Sequence, residues 1–166
     1  MTISRQNLYW DSCVFLRYIN NELDSTIIEE LMRRAESKQV NIFTSTITIA
    51  EVTHAAQERN QSALNSVIED VLQNLFGPPI KLVDYSITIG YETRDFIRTA
   101  MTHSKKIKPI DGIHLTTASW IDRYIARLDE FNTYDQVLKS LYPDIISIKI
   151  IEPHVDQLPL FNNPLP

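Results

Sequence analysis

The sequence predicts an α/β fold, a three-layer α/β/α sandwich with a central parallel sheet, and three observations carry that expectation. Short runs rich in Val, Ile and aromatic residues alternate with longer segments whose apolar residues recur at helical spacing. Strands separated by helices imply crossover connections, which make the sheet parallel and cover both of its faces. The length of 166 residues, with no internal repeat, fits one hydrophobic core. The domain is expected over residues 1–152, with a Pro-rich, irregular tail over 153–166.

Asn7 to Trp10 reads as the first strand, ended by Asp11, and Ser12 can cap an amphipathic helix from Val14 to Asn20. Ser25 is the candidate N-cap of a second helix over Thr26 to Ser37, with Ile27, Ile28, Leu31 and Met32 on one face and Glu29, Glu30, Arg33 and Arg34 on the other. Val40 to Thr44 is the second strand. Ser45 and Thr46 offer caps for a following helix that holds Glu51 and carries Ile49, Val52 and Ala56 on its apolar side. Another helix spans Ser62 to Leu75 and stops at Gly77-Pro78-Pro79, which no regular element crosses. Ile80 to Val83 resumes as strand and Ile87 to Met101 as helix, and Pro109 starts a long helix reaching about Ile125. Phe131 marks a strand, and the β-branched run from Ile145 to Ile151 closes the pattern.

The single cysteine, Cys13, permits no intrachain disulfide, and the first twenty residues lack a secretion signal. No apolar stretch approaches the roughly 20 residues that span a bilayer. A reducing cytoplasm and no membrane are therefore expected. The net charge of −5 argues against nucleic-acid affinity from a broad basic surface. That argument weakens if the acids are gathered in a metal pocket, where bound cations supply local positive charge.

Ligands of open parallel sheets bind beyond the carboxyl ends of the strands, where Asp11 and Asp135 are expected. Asp111 opens the long helix, and Glu51 projects from the helix after the second strand, so all four can meet at one edge. Grouped carboxylates suit Mg²⁺ or Mn²⁺, hard cations that prefer oxygen ligands. Like charges at close quarters raise carboxylate pKa values, and a cation relieves that repulsion while positioning water and phosphate, which points to phosphodiester hydrolysis.

Tyr9-Trp10-Asp11-Ser12 followed by Val14-Phe15-Leu16 resembles the opening strand and first acid of PIN-domain nucleases. Ser45-Thr46-Ile47-Thr48-Ile49-Ala50-Glu51-Val52 is similar to their second acidic motif, and Pro109-Ile110-Asp111-Gly112-Ile113-His114-Leu115-Thr116-Thr117-Ala118 to the third and most specific. Phe131-Asn132-Thr133-Tyr134-Asp135, followed by Leu138, looks like the fourth. The resemblance implies that Asp11, Glu51, Asp111 and Asp135 are the catalytic and metal-holding acids, with Thr133 as polar support. It implies a PIN-like sandwich and an Mg²⁺- or Mn²⁺-dependent endoribonuclease leaving a 5′-phosphate and a 3′-hydroxyl. Such enzymes are often VapC-type toxins paired with an antitoxin. The partners expected are thus an RNA substrate, an antitoxin protein and, as a homodimer, a second copy of the chain. Three positions depart from the pattern: Cys13 where many relatives have Asn, Gly112 where Ala is commoner, and Gln136 where a basic residue is frequent.

Several residues have plainer readings. His114 shares a helical face with Asp111, but an imidazole packed beneath the helix is preferred to a catalytic base, and it is left out of the site. Cys13 is read as a buried small hydrophobe with no thiol chemistry. Lys105, Lys106 and Lys108 form a loop that could touch phosphates or only be solvated. Tyr9 and Trp10 are assigned to the core. Glu51-x-x-His54 and Asp111-x-x-His114 imitate a di-iron helical bundle, but Val/Ile-rich strands interrupt the helices that such a bundle needs. No phosphate-cradling Gly-rich motif is present, so nucleotide cofactors are not expected. The alternative to a nuclease is a regulatory or binding module on the same scaffold.

Overall fold

The computed structural model describes residues 5–155. Strand β1, Gln6–Trp10, lies at the centre because its side chains are apolar on both faces, as a strand sandwiched between two helical layers requires. Leu8 and Trp10 enter one core with Val14, Phe15, Ile28, Leu31 and Ile42, whereas Tyr9 enters a second with Phe43, Leu115, Ala118, Ile121 and Phe131. All pairings are parallel: β1 with β2 (Val40–Ser45), β2 with β3 (Ile80–Val83), β1 with β4 (Glu130–Asn132), and β4 with β5 (Ile150–Ile151). This is the expected α/β/α sandwich.

The sheet order is β3-β2-β1-β4-β5. The chain thus builds outward from β1 in one direction and then crosses to β4 on the other side. The reversal opens a crevice beyond the carboxyl ends of β1 and β4, the favoured ligand position in such sheets.

Helix α1 (Ser12–Ile19) follows β1 directly, and its N-cap is Asp11 rather than the expected Ser12. Helix α2 (Ser25–Glu36) likewise starts one residue early: Ser25 is its first residue, and its hydroxyl bonds Asn21 instead of capping. The helix expected after β2 is broken into α3 (Ile47–Glu51) and α4 (Ala56–Gln61), so Glu51 ends a helix instead of sitting inside one. The break is held by Glu58, whose carboxylate accepts the Ala55 and Asn65 amides at 3.0 and 2.7 Å. Ser62 is left-handed at φ 50°, and α5 begins at Ser66, capped by the Asn65 side chain, and runs to Leu75.

Helices α6 (Ile87–Thr102) and α7 (Pro109–Tyr124) pack side by side, with Pro109 in the first turn, where its missing N–H costs nothing. Their close approach depends on Gly112, since a Cβ there would lie 2.8 Å from Ile97 Cδ1 and 3.2 Å from Thr93 Cγ2. The short helix α8 (Gln136–Lys139) was not expected, and only Ile150–Ile151 of the run from Ile145 pairs as strand. Of the expected tail, Pro153 is buried and Val155 packs against the Leu8–Trp10 core, while residues 156–166 lie outside the described residues. No helix among the described residues is long and apolar enough to cross a membrane.

Candidate functional site

Each of the four sequence-predicted acids is delivered to the crevice by a different helix end. Asp11 leaves β1 and accepts the Cys13 amide on Oδ1 at 3.1 Å, which fixes its carboxylate over the start of α1. Only 4% of Asp11 is exposed. Burial pushes its carboxyl up from the usual range, against the opposing pull of the Cys13 and Thr133 hydrogen bonds and of His114. Asp135 plays the same part at α8, where Oδ1 accepts the Val137 and Leu138 amides at 2.6 and 3.3 Å. The predicted supporter Thr133 is fully buried and accepts the Asp135 amide at 2.9 Å.

Asp111 occupies the first turn of α7 and is half-buried. Its carboxyl is pushed up chiefly by burial and next by Asp135, with Glu51 adding to the effect, while Lys108 and His114 pull the other way. Lys108 is thus a member of the basic loop with an electrostatic influence on Asp111. Glu51 reaches the same region from the end of α3: Ser12 Oγ donates to Oε1 at 3.1 Å, and His114 Nε2 lies 2.6 Å from Oε2. The Tyr9 hydroxyl, 2.8 Å from His114 Nδ1, is held protonated by burial and secondarily by Asp11 and Glu51.

Hydrogen bonds bring the elements that carry these acids together: Cys13 Sγ lies 2.7 Å from Asp11 Oδ1 and 3.4 Å from Thr133 Oγ1, which accepts the Asp135 amide, while Glu51 contacts Ser12 of α1 and His114, one turn along α7 from Asp111. As the side chains stand, no three His, Cys, Asp or Glu groups among the described residues are placed to hold a metal ion. The donor chemistry nonetheless fits a hard divalent cation. Oxygen atoms predominate, and the carboxyls of Asp11 and Asp111 are both raised, as expected where charge is buried without a full counterion. A cleft of about 270 Å³ lined by Leu16, Asn20, Glu51, His54, Ala56 and Arg59 opens beside Glu51.

Two readings of single residues change. His114 is packed beneath α7 as expected, at 2% exposure, but its ring joins Tyr9 to Glu51 and belongs to the site. The Asp111–His114 spacing revealed the shared face. What it could not reveal was the partner on α3, 63 residues away in sequence. Cys13 packs against the core of Leu8, Trp10, Val14 and Phe15 as expected, but its thiol also has polar partners, donating to Asp11 Oδ1 at 2.7 Å and accepting the Tyr134 amide at 3.1 Å. Burial, then the Asp11 charge, pushes the thiol pKa far up, so the protonated form persists and is a poor nucleophile. Tyr9 and Trp10 fill the core, Trp10 with its indole N–H on Asn132 Oδ1 at 3.1 Å.

A parallel α/β sandwich that gathers carboxylates at its switch point defines a class of acidic-site proteins. The PIN domain model matches residues 8–142, and the chain belongs to the PIN-domain family, whose members are generally nucleases. Solved structures agree on the fold. FitAcB from Neisseria gonorrhoeae is 17% identical, with a TM-score of 0.60 over 88% of this chain and 97% of that one. FitAB bound to the IR36 DNA fragment is 14% identical, with a TM-score of 0.60 over 90% of this chain and 98% of that one. VapBC2 from Rickettsia felis, bound to a DNA fragment from their promoter, is 15% identical with a TM-score of 0.60, over 87% of this chain and 97% of that one. No curated protein matches the chain.

Proposed function

We propose that the protein is an Mg²⁺- or Mn²⁺-dependent endoribonuclease that hydrolyses RNA phosphodiester bonds. The observation that carries this reading is the hydrogen-bonded frame at the switch-point crevice: Cys13 and Thr133 link buried Asp11 to Asp135, and Ser12 and His114 hold Glu51 between α1 and the helix that carries Asp111. Asp11, Glu51, Asp111 and Asp135 would hold the cation, Asp11 and Glu51 through the carboxylate lone pairs that their hydrogen bonds leave free, with Asp111 and Asp135 closing toward them. When bound, the ion would supply Lewis acidity and lower the pKa of an attacking water. Thr133 and Cys13 keep Asp11 oriented, and Ser12 and His114 do the same for Glu51. Lys108, three residues before Asp111 and a charge that lowers its pKa, would offer a positive charge to a substrate phosphate.

The toxin role and the antitoxin partner belong to this proposal, as do the homodimer and the cytoplasmic location. Support comes from the likeness to VapBC2 and FitAB, whose structures are described as bound to DNA fragments. With a net charge of −5, this chain is poorly suited to binding promoter DNA by itself, so a basic partner would carry that contact.

A second reading, a regulatory module without appreciable cleavage, is favoured by the lack of three preplaced metal ligands among the described residues. The two separate on incubation of a mixed RNA pool with Mn²⁺, Mg²⁺ or EDTA, beside the Asp11→Asn variant. Cleavage lost with both chelator and substitution supports the nuclease. Absence of cleavage with either metal supports the binding module.

A further inference from the structure

Glu51 is a long side chain on the last residue of a five-residue helix, followed by the irregular segment 52–55. Left to itself it would sample several rotamers, at a cost in entropy whenever it is fixed. Instead its two oxygens are engaged from two other elements: Oε1 by Ser12 of α1 and Oε2 by His114 of α7. An ionised carboxylate only accepts hydrogen bonds, so Nε2 carries the proton across the 2.6 Å contact. In the neutral ring Nδ1 is then the acceptor, and it receives the Tyr9 hydroxyl at 2.8 Å. Tyr9 is fully buried in the central strand and stacks on Phe131 with centroids 4.9 Å apart, so the far end of this chain is rigid.

We propose that His114 is a positioning residue that acts through Glu51, its tautomer fixed by Tyr9, and that this relay sets the site's affinity for a divalent cation. The inference rests on the metal-dependent reading above. Partners of this kind behind a metal-holding side chain typically change affinity by about 10–100-fold when removed.

Mn²⁺ is titrated calorimetrically into the full chain as wild type, His114→Leu, His114→Gln and Tyr9→Phe. The leucine variant, which has no donor, is expected to bind Mn²⁺ at least about tenfold more weakly. Glutamine, whose amide can donate to Glu51, recovers part of the loss, and Tyr9→Phe falls between wild type and leucine. In ¹⁵N spectra the wild-type ring is expected to be Nε2-protonated, with Tyr9→Phe relaxing that preference. Tyr9→Phe also keeps the test open should leucine prevent folding. Wild-type affinity in the leucine variant, or glutamine no better than leucine, overturns the inference alone. A wild-type protein that binds no Mn²⁺ and cleaves no RNA overturns the nuclease reading and this inference with it.

Discussion

The Cys13 thiol donates to Asp11 Oδ1 across 2.7 Å, and the same oxygen accepts the Cys13 backbone amide at 3.1 Å. Cys13 therefore gives Asp11 two donors, the amide that completes the Asp11 N-cap and the thiol that steers its carboxylate. Because burial and Asp11 hold the thiol protonated, alkylation by iodoacetamide at about pH 8 is expected to run at least tenfold slower in the native protein than in urea. Equal rates would contradict the thiol–carboxylate contact. Cys13→Ser, which keeps a donor, should retain more activity than Cys13→Ala.

The raised carboxyls of Asp11 and Asp111 make stability depend on pH in a defined direction. The folded chain binds these protons more tightly than the unfolded chain. Their contribution is thus most favourable below the ordinary carboxylate range and is lost as pH rises through the higher folded values. In EDTA near neutral pH, Asp11→Asn should raise Tm by roughly 2–4 °C, the shift expected from ~1 kcal/mol in a domain of this size. The gap should close as pH is lowered, because wild-type Asp11 then takes up its own proton. Scanning calorimetry at several pH values checks it, and a variant less stable than wild type throughout would contradict it.

Gly112 stands where a Cβ would press on Ile97 Cδ1 at 2.8 Å and Thr93 Cγ2 at 3.2 Å. Thr93 cannot easily turn away, since its hydroxyl bonds Ile89 O and Thr116 Oγ1 at 2.7 and 2.9 Å. Ile97 is only partly buried and can yield, so Gly112→Ala should cost about 1 kcal/mol, the low end of overpacking penalties. Adding Ile97→Val should recover most of it. Urea denaturation of the single and double variants measures both, and additive losses would place the strain elsewhere.

The strands and the two long helices were legible because periodicity reports burial, and burial is what orders them: Leu8 and Trp10 facing one core and Tyr9 the other is the pattern of a doubly covered strand. The break between α3 and α4 was not legible, because Ile49, Val52 and Ala56 fit one helical stripe. What the stripe does not show is that Glu58 starts α4 afresh by taking the Ala55 amide at its N-cap, and takes the Asn65 amide beyond its end. Asp11 as a cap was hidden behind Ser12, an equally good capping residue one position later. At the site, the four acids could be read from their motifs and their places at element ends. His114 could not be read as their neighbour, because its two hydrogen-bond partners come from β1 and α3 and meet it only in the folded chain.

The central claim is that Asp11, Glu51, Asp111 and Asp135 form one divalent-metal site. Electron paramagnetic resonance counts free Mn²⁺ directly during a titration of wild type, Asp11→Asn, Asp111→Asn and the distant control Glu30→Gln, whose carboxylate is paired with Arg33 and Arg34 on α2. The account predicts saturable binding that either aspartate substitution weakens by at least about tenfold and the control leaves unchanged. Four superimposable isotherms, or no saturable binding in wild type, would contradict it.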